Sequence, residues 1–499
     1  MSLPLEYEVT LPSGAKFNQP AGLFINNEFV ESINKKTIES VNPSTGEING
    51  SVYAAESEDV DVAVAAARTA FKLWRKSTGV ERGNLLFKMV ALMEQELELL
   101  SDIEAWDSGK PRDSNAYGDV AECINVFKYY AGWADKIQGK VIYQDPKKLA
   151  YTVHEPYGVC AQIIPWNYPM LMAAWKLAPA LAAGNCVVLK SSEITPLSIL
   201  YFATLFKRAG FPPGVVNIIS GYGATAGKAM AGHLDVDKVA FTGSTATGRL
   251  VQQLATSNLK AVTLECGGKS PLVVRADADL DQAVKWAAIG IMSNMGQICT
   301  STSRIYVHED VYESFLEKFA AHVTAEYQQG DMFQDNVVVG PQVSQMQFDK
   351  IMKYIDIGKS EGARVVLGGE ANPSAGKGFF IKPTVFADVK PSFRIVKEEI
   401  FGPVVAVGKF STDEEALELA NSTEYGLGAA IFTKDLVKAH QFAADLQAGQ
   451  IWINSSNDSD VHIPFGGTKM SGVGRELGEY GLQMYTETKA VHVNLGSVL

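Results

Sequence analysis

Two side chains between residues 264 and 303 have the chemistry to act together on one substrate. Glu265 precedes the glycine pair Gly267 and Gly268, and Cys299 follows Gly296 after an apolar helical stretch. A carboxylate can act as a general base, and a cysteine thiolate is a strong nucleophile. This pattern predicts a cleft that receives one base and one nucleophile from two turns of the chain.

The other four cysteines are less suited than Cys299 to act as a nucleophile. Cys123, Cys160 and Cys186 lie in mostly apolar surroundings, where a cysteine usually fills space in the core. Cys266 lies between the candidate base and two glycines and has no donor of its own. We therefore interpret Cys299 as the candidate nucleophile.

Asn167 is a third candidate, because it lies at a strand end in the segment Pro165-Trp166-Asn167-Tyr168-Pro169. The two prolines restrict the backbone of this segment. A side-chain amide held rigidly there is suited to stabilise an oxyanion, an interaction worth roughly 3–4 kcal/mol in other enzymes. An asparagine that only caps a turn before proline is the alternative interpretation.

Two further strand ends suit a dinucleotide. Gly243 and Ser244 end a strand and open a helix, whose free N–H groups and dipole favour a pyrophosphate. The turn lacks the three-glycine fingerprint, so a tight helix start is an equal alternative. Lys190 ends the strand predicted at 186–190 and Glu193 follows it, where a carboxylate can accept hydrogen bonds from a ribose and repel a 2′-phosphate. A surface lysine and a helix-start glutamate are the alternative there.

Composition limits the class of protein. The chain has 499 residues, 46% of them hydrophobic, which is enough for two or three cores. Its formal net charge of -12 argues against a nucleic acid partner. Prolines and polar residues interrupt the longest apolar run, so no membrane span is predicted. Five scattered cysteines predict no disulfide framework and no metal site, and residues 1–8 show no targeting signal, so we predict a cytoplasmic protein.

Strand and helix patterns alternate between residues 159 and 255. Strands are predicted at 159–164, 186–190, 215–219 and 238–241, and helices at 170–182, 196–209, 224–231 and 245–255. This alternation predicts a doubly wound parallel sheet, which binds ligands at the carboxyl ends of its strands. Residues 1–51 are predicted to form an arm over a core, residues 85–100 a helix, and residues 303–454 a second α/β domain.

Six motifs occur together in one order along the chain. They are Pro165-Trp166-Asn167-Tyr168-Pro169, Phe241-Thr242-Gly243-Ser244, Leu264-Glu265-Cys266-Gly267-Gly268-Lys269-Ser270, Gly296-Gln297-Ile298-Cys299, Lys397-Glu398-Glu399-Ile400-Phe401-Gly402-Pro403-Val404 and Pro464-Phe465-Gly466-Gly467-Thr468-Lys469. Together they resemble the NAD(P)-dependent aldehyde dehydrogenase superfamily. The match runs from near residue 22 to the C-terminus.

The resemblance implies a role for each matching residue. Cys299 is similar to the family nucleophile, Glu265 to its general base, and Asn167 to its oxyanion donor, with the backbone N–H of Cys299 as second donor. The positions that resemble cofactor contacts are Ile164, Trp166, Lys190, Glu193, Gly243, Ser244, Glu399 and Phe401. No metal is implied.

The resemblance also implies a mechanism. The Cys299 thiolate adds to an aldehyde, the adduct expels hydride to the nicotinamide, and Glu265 activates water to hydrolyse the thioester to the acid. Relatives that transfer the acyl group to coenzyme A lack this glutamate, so water is the expected acceptor. Ser191 replaces the usual proline, but Glu193 is kept, which favours NAD and leaves NADP possible.

The implied architecture is a Rossmann-type cofactor domain, an α/β catalytic domain and a small β flap for oligomerisation. On this sequence the cofactor domain comprises residues 1–138 and 159–265, the catalytic domain residues 266–480, and the oligomerisation strands residues 139–158 and 481–499. A homo-oligomer is therefore expected, either a dimer or a tetramer.

The motif alignment places a substrate tunnel between Tyr168, Met172, Trp175, Ser293, Ile298, Thr300 and the loop 457–461, which begins at Asn457. Three large apolar or aromatic side chains predict a medium aliphatic or aromatic aldehyde. An aromatic box for a trimethylammonium aldehyde and simple core packing are alternatives. At the level of the whole protein, the alternatives are a pathway-dedicated semialdehyde, aromatic or amino-aldehyde dehydrogenase and a non-catalytic structural relative.

Overall fold

The first large sheet is built from the apolar strands of the first half of the chain. The computed structural model of the protein describes residues 3–496. Five parallel strands lie in the order Ala261–Glu265, Lys238–Thr242, Val159–Ile163, Cys186–Ser191 and Val216–Ser220. The middle strands are buried along their length, as an apolar run without alternation requires. Antiparallel strands complete the edges: Gly472–Val473 on one side, and Leu23–Ile25 with Glu28–Val30 on the other.

Helices pack against this sheet and against one another. Their bounds are Ser57–Trp74, Gly79–Gln95, Leu97–Ser108, Tyr117–Trp133, Pro169–Ala183, Leu197–Ala209, Lys228–Gly232 and Thr245–Ala255. Within residues 3–496, every helix is too short or too polar to span a lipid bilayer.

Three local predictions differ from the structure. The helix predicted at 85–100 is broken at Glu96, whose φ of -109° and ψ of 15° are not helical. The helix predicted at 224–231 begins with a π-helical turn, Gly223–Gly227, because glycines bias the backbone weakly. The prediction that residues 1–51 form an arm over the core is partly wrong. Leu23–Ile25 pairs with the sheet and thereby buries its three apolar side chains.

The second half forms a seven-stranded sheet, which confirms the predicted α/β class. The strand order is Arg364–Leu367, Thr384–Ala387, Val404–Phe410, Arg304–His308, Pro271–Val274, Gly428–Phe432 and Gln450–Ile453. All neighbours are parallel except the first pair. The helices of this half are Leu280–Met292, Tyr312–Glu326, Gln345–Ser360, Arg394–Lys397, Asp413–Asn421, Leu436–Asp445 and Gly478–Gln483.

A separate antiparallel sheet has three strands, Val141–Asp145, Lys148–Pro156 and Thr486–Asn494. Smaller hairpins pair Glu6–Thr10 with Lys16–Pro20 and Thr37–Val41 with Ile48–Tyr53, and Tyr425–Gly426 pairs with Thr468–Lys469. All five residues of Val141–Asp145 are exposed, and the strand has a neighbour on one side only within residues 3–496.

The chain passes from the first large sheet to the second between Glu265 and Pro271. Gly472–Val473 returns to the first sheet from within the range predicted for the catalytic domain. The domain boundaries given above remain predictions. Residues 1, 2 and 497–499 of those ranges lie outside the described residues.

Candidate active site

One cavity of about 440 Å³ is lined by all three candidate catalytic side chains, Cys299, Glu265 and Asn167. Asn167 and Glu265 come from the carboxyl ends of two strands of the first sheet, where doubly wound sheets bind ligands. Cys299 comes from a turn after the helix Leu280–Met292. The tertiary structure therefore brings together residues that are up to 132 positions apart in sequence.

The turn before Cys299 is unusually tight. Three consecutive residues, Asn294, Met295 and Gly296, have left-handed backbones with φ of 46°, 56° and 72°. A side chain at Gly296 would meet the carbonyl oxygen of Gly402 at 2.1 Å, so only glycine fits there. Met295 tolerates its backbone conformation because it is fully buried and held by its surroundings. The turn presents Cys299 to the cavity.

Asn167 is tied to this turn. Its side-chain nitrogen Nδ2 donates to the carbonyl oxygen of Gln297 at 2.8 Å, and Nδ2 of Asn294 donates to the carbonyl oxygen of Asn167 at 2.9 Å. Within residues 3–496, no second acceptor contacts Nδ2 of Asn167, so one of its two hydrogens is available to a ligand. The side chain of Asn167 therefore does more than cap a turn before proline, because it binds the turn that leads to Cys299.

The Cys299 thiol is held in its protonated form. Burial raises its pKa above the ordinary value, and the nearby carboxyls of Glu265 and Glu399 raise that pKa further. The backbone N–H groups of Thr300 and of Cys299 itself contact the thiol and oppose the shift. A positive charge or a base is needed to generate the thiolate.

The surroundings of Glu265 disfavour the charged form of its carboxyl. Burial raises the pKa of its carboxyl well above the ordinary value, and the carboxyl of Glu476 raises it further, against Lys176 and Arg475. Its Oε2 atom is buried and has no hydrogen-bond partner within residues 3–496. A buried acceptor without a partner at the cavity wall suits a proton-transfer role.

The neighbours of Glu265 were not found from the sequence. Lys176 Nζ lies 2.6 Å from Oε1 of Glu476 and donates to Oγ1 of Thr242, also at 2.6 Å. Lys176 and Glu476 are 300 residues apart, and neither belongs to a local motif that indicates a partner. Their contact could not be read from spacing alone.

Five of the predicted cofactor residues line the same cavity: Trp166, Gly243, Ser244, Glu399 and Phe401. Glu399 accepts a hydrogen bond from the backbone N–H of Gly268 at 2.8 Å. The ring of Phe401 lies edge-on to that of Trp166, with centroids 5.4 Å apart. A carboxylate and two aromatic rings thus stand beside the candidate nucleophile.

The turn at Gly243 and Ser244 is both a capped helix start and part of the cavity wall. Ser244 accepts a hydrogen bond from the backbone N–H of Thr247 at 3.2 Å. A side chain at Gly243 would meet the ring of Phe241 at 2.6 Å. The structure therefore confirms a capped helix start, and binding of a phosphate by this turn stays a prediction.

Ile164, Lys190 and Glu193 lie outside the cavity lining, at the adjacent strand ends. Lys190 is buried, donates to the carbonyl oxygen of Gly221 at 2.6 Å, and lies 3.5 Å from Glu193. The surface-lysine alternative is therefore wrong. Glu193 precedes the helix that begins at Leu197, so it is not a helix-start residue either. Together with the glycine turn, these residues fit a dinucleotide.

Most predicted tunnel residues line the cavity, and Asp458 and Val461 of the predicted loop do not. The residues that line it are Tyr168, Met172, Trp175, Ser293, Ile298, Thr300 and Asn457. From the loop 457–461, Ser459 and Asp460 also line it. Sequence reasoning missed the further lining residues Glu122, Leu171, Ile289, Gln347, Lys350, Phe465, Glu476 and Leu477. Most of these lie on helices or in turns, where their own sequence context indicates only an ordinary surface or core position.

Comparison with known proteins agrees with this geometry. A model described as the aldehyde dehydrogenase family matches residues 29–491. The NAD(P)+ aldehyde dehydrogenase 1 of Saccharomyces cerevisiae is 53% identical over 91% of both chains, and the mitochondrial aldehyde dehydrogenase of Rattus norvegicus is 52% identical over 91% of this chain and 87% of its own. An aldehyde dehydrogenase from Bacillus cereus, solved as an NAD+ complex, superposes with a TM-score of 0.93 at 47% identity, covering 95% and 97% of the two chains. The chain belongs to the aldehyde dehydrogenase family.

Proposed function

We propose that the protein oxidises an aldehyde to the carboxylic acid with NAD as the preferred acceptor. The observation that carries the proposal is that Cys299, Glu265 and Asn167 line one cavity with Glu399 and Phe401. Membership of the family supports the activity. The NAD+ complex of the Bacillus relative and the NAD(P)+ in the name of the yeast relative support the cofactor class.

The first half of the reaction forms a covalent adduct. The Cys299 thiolate adds to the carbonyl carbon, and the resulting oxyanion accepts hydrogen bonds from Nδ2 of Asn167 and from the backbone N–H of Cys299. A bound oxidised nicotinamide supplies the hydride acceptor and a positive charge near the thiol. Loss of hydride from the adduct leaves a thioester on Cys299.

The second half releases the acid. Glu265 takes a proton from water, and the hydroxide attacks the thioester carbon. The bond between carbon and sulfur then breaks, the carboxylic acid departs, and the proton held by Glu265 returns to the Cys299 thiolate. The Lys176 and Glu476 pair acts on the charge of Glu265, because Glu476 raises the pKa of the Glu265 carboxyl and Lys176 lowers it.

The test is turnover across a panel of aliphatic, aromatic and amino aldehydes and semialdehydes, with NAD and with NADP, followed by the absorbance of the reduced nicotinamide. Oxidation of several aldehydes supports the general enzyme. Oxidation of a single semialdehyde or aromatic aldehyde would favour a pathway-dedicated enzyme. No turnover by a folded protein without a reactive thiol would favour a structural relative.

Glu193 is expected to determine the preference for NAD over NADP. In Glu193→Gln, we expect the ratio of kcat/KM with NADP to that with NAD to rise about tenfold, because a carboxylate repels a 2′-phosphate and an amide does not. Glu94→Gln removes the same charge from an exposed position and should leave the ratio as it was. An unchanged ratio in Glu193→Gln would place the adenosine ribose elsewhere.

Self-association through the three-stranded sheet is also a proposal. Val141 and Tyr143 are 73% and 71% exposed on a strand with one unpaired edge, which is a surface that another chain can cover. Gel filtration should give a species of at least twice 54.0 kDa, and Val141→Lys with Tyr143→Lys should shift it toward the monomer. A wild-type monomer would contradict the proposal.

The cytoplasmic location stays a prediction, to be checked by cell fractionation.

A further inference from the structure

We propose that the preferred substrates are ω-amino aldehydes, whose protonated primary amine is recognised by carboxylates at the substrate end of the cavity. This end is defined by Glu122, Tyr168, Trp175, Asn457 and Asp460. The inference rests on the proposed function and narrows its substrate class.

Glu122 is the first of the two carboxylates. It lies on the helix Tyr117–Trp133, which packs against the helix Pro169–Ala183 that carries Met172 and Trp175. Its side chain lines the cavity, and its Oε2 accepts a hydrogen bond from Nδ2 of Asn125 at 3.0 Å. Within residues 3–496 it makes no ion pair, so its negative charge is available to a ligand.

Asp460 is the second carboxylate, and it lines the same end of the cavity from the loop 457–461. Its carboxylate accepts a hydrogen bond from the backbone N–H of His462 at 2.8 Å and contacts the imidazole of that residue. These contacts lower the pKa of Asp460, so it is ionised at neutral pH. The loop is fixed by Nδ2 of Asn457, which donates to the carbonyl oxygen of Gly290 at 3.2 Å.

The loop with Asp460 and the side chain of Glu122 lie on the same side of the helix Tyr117–Trp133. The ring of His462 packs edge-on against Tyr129, with centroids 4.9 Å apart. Tyr129 follows Glu122 by seven residues, which is close to two helical turns, so both lie on one helix face. The loop with Asp460 therefore lies over the helix face that carries Glu122.

The lining residues offer little positive charge to balance these carboxylates. Within residues 3–496, Lys350 is the single lysine or arginine that lines the cavity, and it lies near Glu399, whose carboxyl it stabilises, at the cofactor end. Within the same residues, His462 is the one basic group in contact with Asp460. A cationic aldehyde is attracted to this end, whereas a carboxylated semialdehyde is repelled.

The side chains that line the substrate end favour the binding of a primary ammonium over that of a quaternary ammonium. The Nζ atom of Lys110 already lies 3.9 Å from the centroid of the Tyr168 ring, so that ring offers a weaker attraction to a second cation. The amide oxygen of Asn457 is buried without a partner within residues 3–496. Only an ammonium with N–H groups can donate hydrogen bonds to that oxygen and to both carboxylates.

The experiment compares aldehydes of equal size and different charge. In the wild-type enzyme, kcat/KM for 3-aminopropanal should exceed that for its neutral isostere butanal about tenfold, and the advantage should shrink at high salt. For 4-oxobutanoate, kcat/KM should be lower than for its neutral isostere 4-methylpentanal. In Glu122→Gln and in Asp460→Asn, the ratio of 3-aminopropanal to butanal should fall several-fold, and about tenfold in the double variant.

The control is Glu94→Gln, which removes the same charge from an exposed position of the neighbouring helix Gly79–Gln95 and should keep the wild-type ratio. If butanal is oxidised but 3-aminopropanal has no advantage, or if the advantage survives both substitutions, the inference is wrong and the proposed function stands. If none of the four aldehydes is oxidised, the proposed function itself fails.

Discussion

Replacing Cys299 by alanine is expected to lower kcat for aldehyde oxidation by more than about 10⁴-fold, because the substitution removes the covalent route. Cys299 is the one partly exposed cysteine within residues 3–496, where the other four are buried, and it lines the cavity beside Glu265 and Asn167. Without a sulfur at this position, no adduct forms and no hydride can leave. The measurement is the rate of nicotinamide reduction under saturating aldehyde.

A second cavity thiol provides the matched control. Cys266 also lines the cavity, but it is only 5% exposed, whereas Cys299 is partly exposed and can be reached by a reagent. An alkylating reagent should modify the wild type once, at Cys299, and should still modify Cys266→Ala at the same site. Full activity in Cys299→Ala, or labelling at Cys266 in place of Cys299, would contradict the assignment of the nucleophile.

Replacing Glu265 by glutamine is expected to reduce steady-state turnover by about 10²–10⁴-fold, because general base catalysis of thioester hydrolysis is lost. Acylation does not require this base in the proposed scheme. A single burst of reduced nicotinamide, close to the enzyme concentration, should therefore precede the slow phase. Rapid mixing followed by mass spectrometry would detect the acyl group retained on Cys299.

The rate of thioester hydrolysis by the wild type is expected to rise with pH. Burial and Glu476 raise the pKa of Glu265, so the carboxyl is protonated, and inactive as a base, at low pH and gains activity as pH rises through that pKa. In Glu476→Gln, the carboxyl of Glu265 loses a negative neighbour, so the rising limb should move to lower pH. A hydrolysis rate in Glu265→Gln that matches the wild type, or an unmoved limb in Glu476→Gln, would place the base elsewhere.

The sequence by itself determined the class of fold and the central residues of the site. Uninterrupted apolar runs such as Val159–Ile163 and Cys186–Ser191 have to be buried on both faces, which indicates a parallel sheet. Short motifs around Cys299, Glu265 and Asn167 carry their information locally, in glycines and prolines whose backbone requirements are independent of distant contacts. These residues were therefore found without coordinates, and all three line the cavity.

Only the tertiary structure decided which groups surround those residues. The hydrogen bond from Asn167 to Gln297 spans 130 residues, and the Lys176 and Glu476 pair spans 300. Glu122 has an ordinary helical sequence context and reaches the cavity because of how its helix packs. Proximity between distant segments follows from the packing of whole sheets and helices, and no local spacing encodes it. The pKa shifts and the charge of the substrate end depend on that packing, so they come from the tertiary structure alone.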